Sequence, residues 1–155
     1  MVTNKPERLT RLTIYLLSQT AKMAKRDLDQ RLAAEGFRLR HMAMLAVLDE
    51  APATQLELGR RLTMDPSDVT ATIDDLEAKG LVTRSMDPAD RRRKIVTLTP
   101  VGLKRLDRMQ QVAQELCDEL LEPVPARRRA QLHQDLHDVL LARDARDAEL
   151  QADQQ

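Results

Sequence analysis

The densest chemical signal in the chain is a run of four cations, Arg91, Arg92, Arg93 and Lys94, which closes a polar segment opened by Ser85 and opposed only by Asp87 and Asp90. Guanidinium groups at the tip of an extended loop suit the minor groove of a duplex, whose potential is most negative where it is narrow. Upstream, between Pro66 and Lys79, hydroxyls and small side chains recur at helical spacing. On a helical wheel Val69, Ile73 and Leu76 fall in one narrow arc, leaving Ser67, Thr70, Ala71, Asp74 and Ala78 opposite. Ser and Thr hydroxyls bond either kind of base edge, while a threonine methyl or Ala71 lies against a thymine methyl. Ser67, Asp68, Thr70, Ala71, Thr72 and Asp75 are therefore the groove-reading candidates. Arg60 and Arg84, with the four cations of the loop, are the candidates for phosphate and minor-groove contacts. The carboxylates oppose this reading, since they repel phosphates: Asp68 finds a role near the positive helix end, and Asp75 has none.

Two other constellations carry reactive groups. Cys117 is the single cysteine, so no internal disulfide forms, which agrees with a reducing compartment. A redox-sensing regulator acting through Cys117 is the alternative function. Asp118 and Glu119 follow that thiol, however, and carboxylates hold a thiol protonated, so a buried structural cysteine is expected. His133 and His137 stand four apart beside Asp138, a spacing that brings two imidazoles to one zinc. Two ligands do not make a site, and no metal or cofactor is expected. No glycine-rich phosphate loop is present, nor a nucleophile with a base and an orienting partner, so no enzyme is expected.

The elements that must position these groups read as mainly helical. The 155 residues fit one domain, 1–155, and 42% apolar content with almost no aromatics implies a core of Leu, Val, Ile, Met and Ala. Lys plus Arg equals Asp plus Glu, 25 each, so bulk charge gives no reason to expect nucleic acid and the case rests on local features. No stretch approaches the roughly 18 apolar residues of a membrane span, which makes a cytoplasmic protein the default. Leu9, Leu12, Leu16, Met23, Ala24, Leu28 and Leu32 share one face of a long first helix that Gly36 stops. A second helix runs from Arg40 to Glu50 and closes before Pro52.

Thr54-Gln55-Leu56-Glu57 forms a capping box and starts a short helix ending near Leu62. Asp65-Pro66-Ser67-Asp68 repeats the signal, with aspartate as N-cap and proline at the first helical position, and this helix stops at Gly80. Two capped helices across so short a turn make a helix-turn-helix. Leu81-Val82-Thr83-Arg84 and Ile95-Val96-Thr97-Leu98 then read as strands of a hairpin whose tip is the basic segment, a wing. Thr99-Pro100 opens a long helix with Val101, Leu103, Leu106, Met109, Ala113, Leu116 and Leu120 as its apolar positions, broken by Pro123 and Pro125. A last helix covers roughly Ala126 to Leu150. The fold class expected is thus a winged helix-turn-helix lobe, 38–99, with dimerisation helices at 8–35 and 100–150, whose leftover apolar faces call for a second copy. A winged helix serving only protein contacts, a protein-interaction module, is a further alternative.

The string Asp65-Pro66-Ser67-Asp68-Val69-Thr70, with Asp74, Leu76-Glu77, Lys79-Gly80-Leu81-Val82, Arg84, Asp87-Pro88-Ala89-Asp90-Arg91-Arg92, Val96-Thr97-Leu98-Thr99 and Gly102, resembles the MarR family of transcriptional regulators. The resemblance spans the helical layout and is sharpest from Gln55 to Gly102. It implies a triangular homodimer that binds pseudo-palindromic double-stranded DNA in the bacterial nucleoid, repression as the default action, and a wing salt bridge between Asp74 and Arg92. The chain departs from the family pattern where many members carry a basic residue on the reading helix: Ala71 and Asp75 stand there. The resemblance also implies a small anionic or phenolic ligand in a cleft between the dimer helices and the winged lobe, with Leu16, Met23, His41, Met44, Leu45 and Leu106 as candidate lining.

Overall fold

The structure, a computed structural model, describes residues 5–87, 90 and 93–152 and divides into two compact units, 1–116 and 117–155. The first unit runs α1 (Glu7–Thr10), α2 (Thr13–Ala34), α3 (Leu39–Glu50), β1 (Ala53–Thr54), α4 (Gln55–Leu62), α5 (Pro66–Ala78), β2 (Val82–Met86), β3 (Lys94–Leu98) and most of α6 (Pro100–Leu120). The second unit holds the end of α6 and α7 (Ala126–Ala152).

In the first unit α3, α4 and α5 pack on a small antiparallel sheet of order β1-β3-β2. Val82 pairs with Leu98 and Met86 with Lys94, while Ala53 of β1 pairs with Val96. The core beneath is aliphatic, as the composition requires: Met44, Leu45, Leu58, Ile73, Leu76, Val96 and Leu106 are fully or almost fully buried. Val69, Ile73 and Leu76 face inward as the wheel places them.

Backbone chemistry explains the joints. Gly80 ends α5 at φ +69°, a left-handed conformation that a side chain disfavours. Thr99 caps α6: its hydroxyl accepts from the Gly102 amide at 3.0 Å and donates to the Gly80 carbonyl at 2.8 Å. That staple draws α6 so close to the hairpin base that a Cβ on Gly102 would stand 2.1 Å from the Leu81 carbonyl oxygen.

Several expectations need correction. The single first helix is broken at Arg11–Leu12, where Leu12 turns extended as the N-cap of α2. Leu9, Leu12, Leu16 and Met23 are all exposed in the single chain, and only Leu32 of that face is buried. Strand β1 is new, because two residues carry no readable alternation. On α6, Val101 and Leu103 are exposed, whereas Gly102, Val112 and Leu116 are buried.

In the second unit, Arg129 donates to the Val124 and Glu122 carbonyls, fixing the turn before α7. Along α7, Gln131 donates to Asp135 and Gln134 to Asp138, each at 2.8 Å. Leu136, Val139, Leu140 and Leu141 are exposed. His133 and His137 stack in parallel with ring centres 6.4 Å apart, and no group of three metal-binding side chains exists among the described residues. Cys117, expected to be buried, is exposed: the core positions Val112 and Leu116 lie on another arc of α6. No described helix is long and apolar enough to cross a membrane.

Candidate nucleic-acid interface

The capping box forms as read. The Thr54 amide donates to Glu57 Oε2 at 2.7 Å and the Glu57 amide to the Thr54 hydroxyl at 3.3 Å. These bonds to the charged form, the backbone one foremost, hold the Glu57 carboxyl below its usual range. Helix α4 ends at Thr63, whose left-handed backbone (φ 50°) turns the chain sharply, and Met64 donates back to the Gly59 carbonyl at 3.0 Å. Asp65 then stands at the N-cap of α5 with Pro66 behind it, although its side chain makes no capping bond.

Ser67, Asp68, Thr70, Ala71, Asp74 and Ala78 form the exposed face of α5. The Thr70 hydroxyl donates to the Pro66 carbonyl at 2.9 Å and accepts from Gln55 Nε2 at 3.2 Å, so α4 and α5 are joined at the face they present. Thr72 does not belong there. It is fully buried, and its hydroxyl donates to the Asp68 carbonyl at 2.7 Å. The sequence holds the clue: Thr72 is three residues after Val69 and four before Leu76, on the core side of the helix. Asp75 also leaves the groove-reading set. It lies on the flank of α5, paired with Lys79 and with one oxygen 3.3 Å from His41 Nε2 on α3. Lys79, mainly by donating a hydrogen bond, keeps the Asp75 carboxyl below its ordinary range.

Arg84, expected to touch the DNA backbone, is committed elsewhere. Its Nη2 pairs with Asp74 Oδ1 and its Nη1 with Glu77 Oε2, both at 2.5 Å, and the side chain is 16% exposed. Burial opposes its charge, but the bonds to Asp74 and Glu77 outweigh that and raise its pKa further. The clamp offsets one of the two negative charges of Asp74 and Glu77 and ties α5 to β2, a role that sequence reasoning assigns to no residue but the wing arginine. The expected Asp74–Arg92 bridge lies outside the described residues, as do Arg91 and Arg92 themselves.

At the described part of the wing, Asp87 donates to the Arg93 carbonyl and Arg93 to the Asp90 carbonyl, both at 2.9 Å and both through backbone amides. Arg93 reaches within 3.8 Å of Glu57, and Lys94 is exposed; Arg60 is exposed on α4. The surface thus combines a hydroxyl-bearing helix face, whose Asp74 is paired with Arg84, with a hairpin that exposes Arg93 and Lys94, groups able to meet base edges and phosphates.

The six candidate pocket residues differ in burial within the single chain. Met44, Leu45 and Leu106 are core, His41 is buried beside α5, and Leu16 and Met23 are exposed on α2.

A profile described as the MarR family matches residues 35–93. The chain is 30% identical to the HTH-type transcriptional repressor NicR of Pseudomonas putida over 120 residues, covering 74% of this chain and 73% of that protein. Three further curated regulators are matched over 42% to 55% of their own length. Among solved structures it is similar to apo wild-type MarR from E. coli, with TM-score 0.75, 27% identity, 83% of this chain and 96% of that one. It is also similar to CouR from Rhodococcus jostii bound to p-coumaroyl-CoA, with TM-score 0.68, 26% identity, and 86% and 95% coverage.

Proposed function

This chain belongs to the MarR family of DNA-binding transcriptional regulators, and from that premise we propose that it is a homodimeric repressor released from a pseudo-palindromic operator by a small ligand. In this reading residues 1–155 act as one functional module in the chromosome's compartment. The lobe 38–99 holds the duplex, and helices within 8–35 and 100–150 pair two copies. Ser67, Thr70 and Ala71 read the major groove; Arg93 and Lys94, with Arg91 and Arg92, hold the backbone and the minor groove. The observation that carries the proposal is the Arg84 clamp, whose single charge offsets one of the two charges of Asp74 and Glu77 on the helix where Ser67, Thr70 and Ala71 stand exposed. Repression is supported by the name of NicR, and release by a ligand is supported by CouR, whose structure holds p-coumaroyl-CoA.

Fluorescence anisotropy on genomic promoter fragments tests the reading. Replacing Arg93 and Lys94 with Ala should weaken binding to all sequences and flatten the salt slope by about 4, two phosphates for each of the two subunits, while Thr70→Ala should change which bases are preferred. Equal slopes for wild type and the Arg93/Lys94 variant would refute the wing assignment.

A further inference from the structure

A free threonine hydroxyl serves either kind of base edge, but the proton of Thr70 is already placed. Its oxygen lies 2.9 Å from the Pro66 carbonyl and 3.2 Å from Gln55 Nε2. A carbonyl only accepts, so the hydroxyl donates to Pro66, and the Gln55 amide then meets the same oxygen with its N–H side. The network thereby fixes both the direction of the hydroxyl and the orientation of the amide. The cleft beside this pair is lined by Leu56, Gly59, Met64, Pro66 and Val69, with Arg60 as its charged side chain. Arginine only donates, so no strong side-chain acceptor in the cleft competes for the proton. A hydroxyl has one proton and two lone pairs. With the proton on Pro66 and one lone pair on Gln55, exposed Thr70 is left with a single acceptor site to offer a duplex.

In the major groove the donors are the exocyclic amino groups of adenine and cytosine, whereas guanine and thymine present carbonyl oxygens. We propose that Thr70 reads an exocyclic amino group, and that Gln55 is the positioning residue that keeps it an acceptor. The inference rests on the DNA-reading role of α5 given above and narrows it to one hydrogen-bond polarity. A carbonyl oxygen at that place meets a lone pair, and the hydroxyl bonds it only by giving up Pro66. Gln55 contributes through geometry. A helical threonine divides between two rotamers, and Gln55, the first residue of α4, reaches across the turn and holds the one in which Oγ1 meets both partners. Accepting from the amide also polarises the hydroxyl toward Pro66.

The test uses the full chain and a duplex that it selects from a random pool. Thr70→Val keeps the side-chain shape and removes the oxygen, so the base pair at which its selected sites diverge from those of wild type is the one Thr70 reads. At that pair, in one half-site, the amino-bearing base is replaced by an analogue without the amino group, purine for adenine or pyrimidinone for cytosine. In parallel the carbonyl-bearing base is replaced by one without the oxygen, aminopurine for guanine or methylpyrimidinone for thymine. Loss of the amino group should weaken wild-type and Thr70→Ser binding about tenfold more than Thr70→Val binding, while loss of the carbonyl oxygen should act equally on all three. Weaker pairing of the analogues is common to every protein and cancels. Gln55→Leu should cut the amino dependence to about threefold, and should weaken binding to the parent duplex in the wild-type background but not in Thr70→Val; a merely structural loosening of α4 acts in both. Identical sites selected by wild type and Thr70→Val, a Thr70-dependent response to the carbonyl analogue, or an equal Gln55→Leu loss in both backgrounds would overturn the proposal. A wild-type chain that selects no sequence from the pool would instead refute the regulator reading.

Discussion

His41 shows how one side chain can hold two elements and a titration at once. Its ring caps the start of α3 through Arg38 and abuts Asp75 of α5. Burial, the largest influence, pushes its pKa below the ordinary 6.5; Asp75 pulls the other way, and Arg40, Lys79 and Arg38 add to the depression. The folded chain therefore resists a proton that the unfolded chain accepts. Its contribution to stability is present above about pH 6.5 and is lost as pH falls through the depressed folded value. Thermal unfolding between about pH 7.5 and about pH 5.5 should show Tm falling with acidity, and His41→Gln should flatten that slope. Glu57 and Asp75, both depressed, titrate below this window. An identical slope in the variant would assign the acid sensitivity to other groups. Asp75 itself, without a role in the sequence, acquires one only when the fold brings α3 against α5.

Helices and strands carry their own predictions. The Arg84 clamp connects β2 to α5 through groups ten and seven residues apart. Removing it with Arg84→Ala leaves two carboxylates facing phosphates, so operator affinity should fall about tenfold, and Asp74→Asn in that background should restore part of it. Additive losses would separate Asp74 from Arg84. At the opposite joint, Gly102→Ala forces a Cβ into the Leu81 carbonyl and Leu98; overpacking of this kind should cost about 1–3 kcal/mol or more, readable in denaturant midpoints. The same scale shows what is legible in the sequence. The Thr54–Glu57 box, the Asp65-Pro66 start and the Thr99-Pro100 start are local signals, and α4, α5 and α6 begin where they say. The break at Leu12 and the two-residue β1 depend on what lies across space, on which neighbouring residues are silent. Thr72 is readable from its wheel position, and its hydroxyl misleads only when that position is ignored. Arg84 resembles a free cation because its partners sit on the preceding helix.

At the scale of the whole chain the question is what two copies would share. Leu12, Ile14, Leu16 and Leu17 on and before α2 are 44–73% exposed, and Leu136, Val139, Leu140 and Leu141 on α7 are 41–67% exposed. So many large apolar side chains open to water are more than isolated surface leucines need explain, and balanced charge, with pI near 6.8, puts little repulsion between copies. Replacing Val139 and Leu140 with Asp should therefore reduce the mass in light scattering from twice 17.6 kDa to that of one chain. The same variant separates pairing from folding: α5 and the wing belong to the other compact unit, so its helical signal should persist. A lone lobe neutralises half the phosphates, so the salt slope on a two-half-site duplex should fall to about half and the linked second contact, with its gain in effective concentration, should vanish. A variant that stays dimeric with an unchanged slope would place the pairing surface elsewhere, since neither mass nor counterion release would then depend on α7.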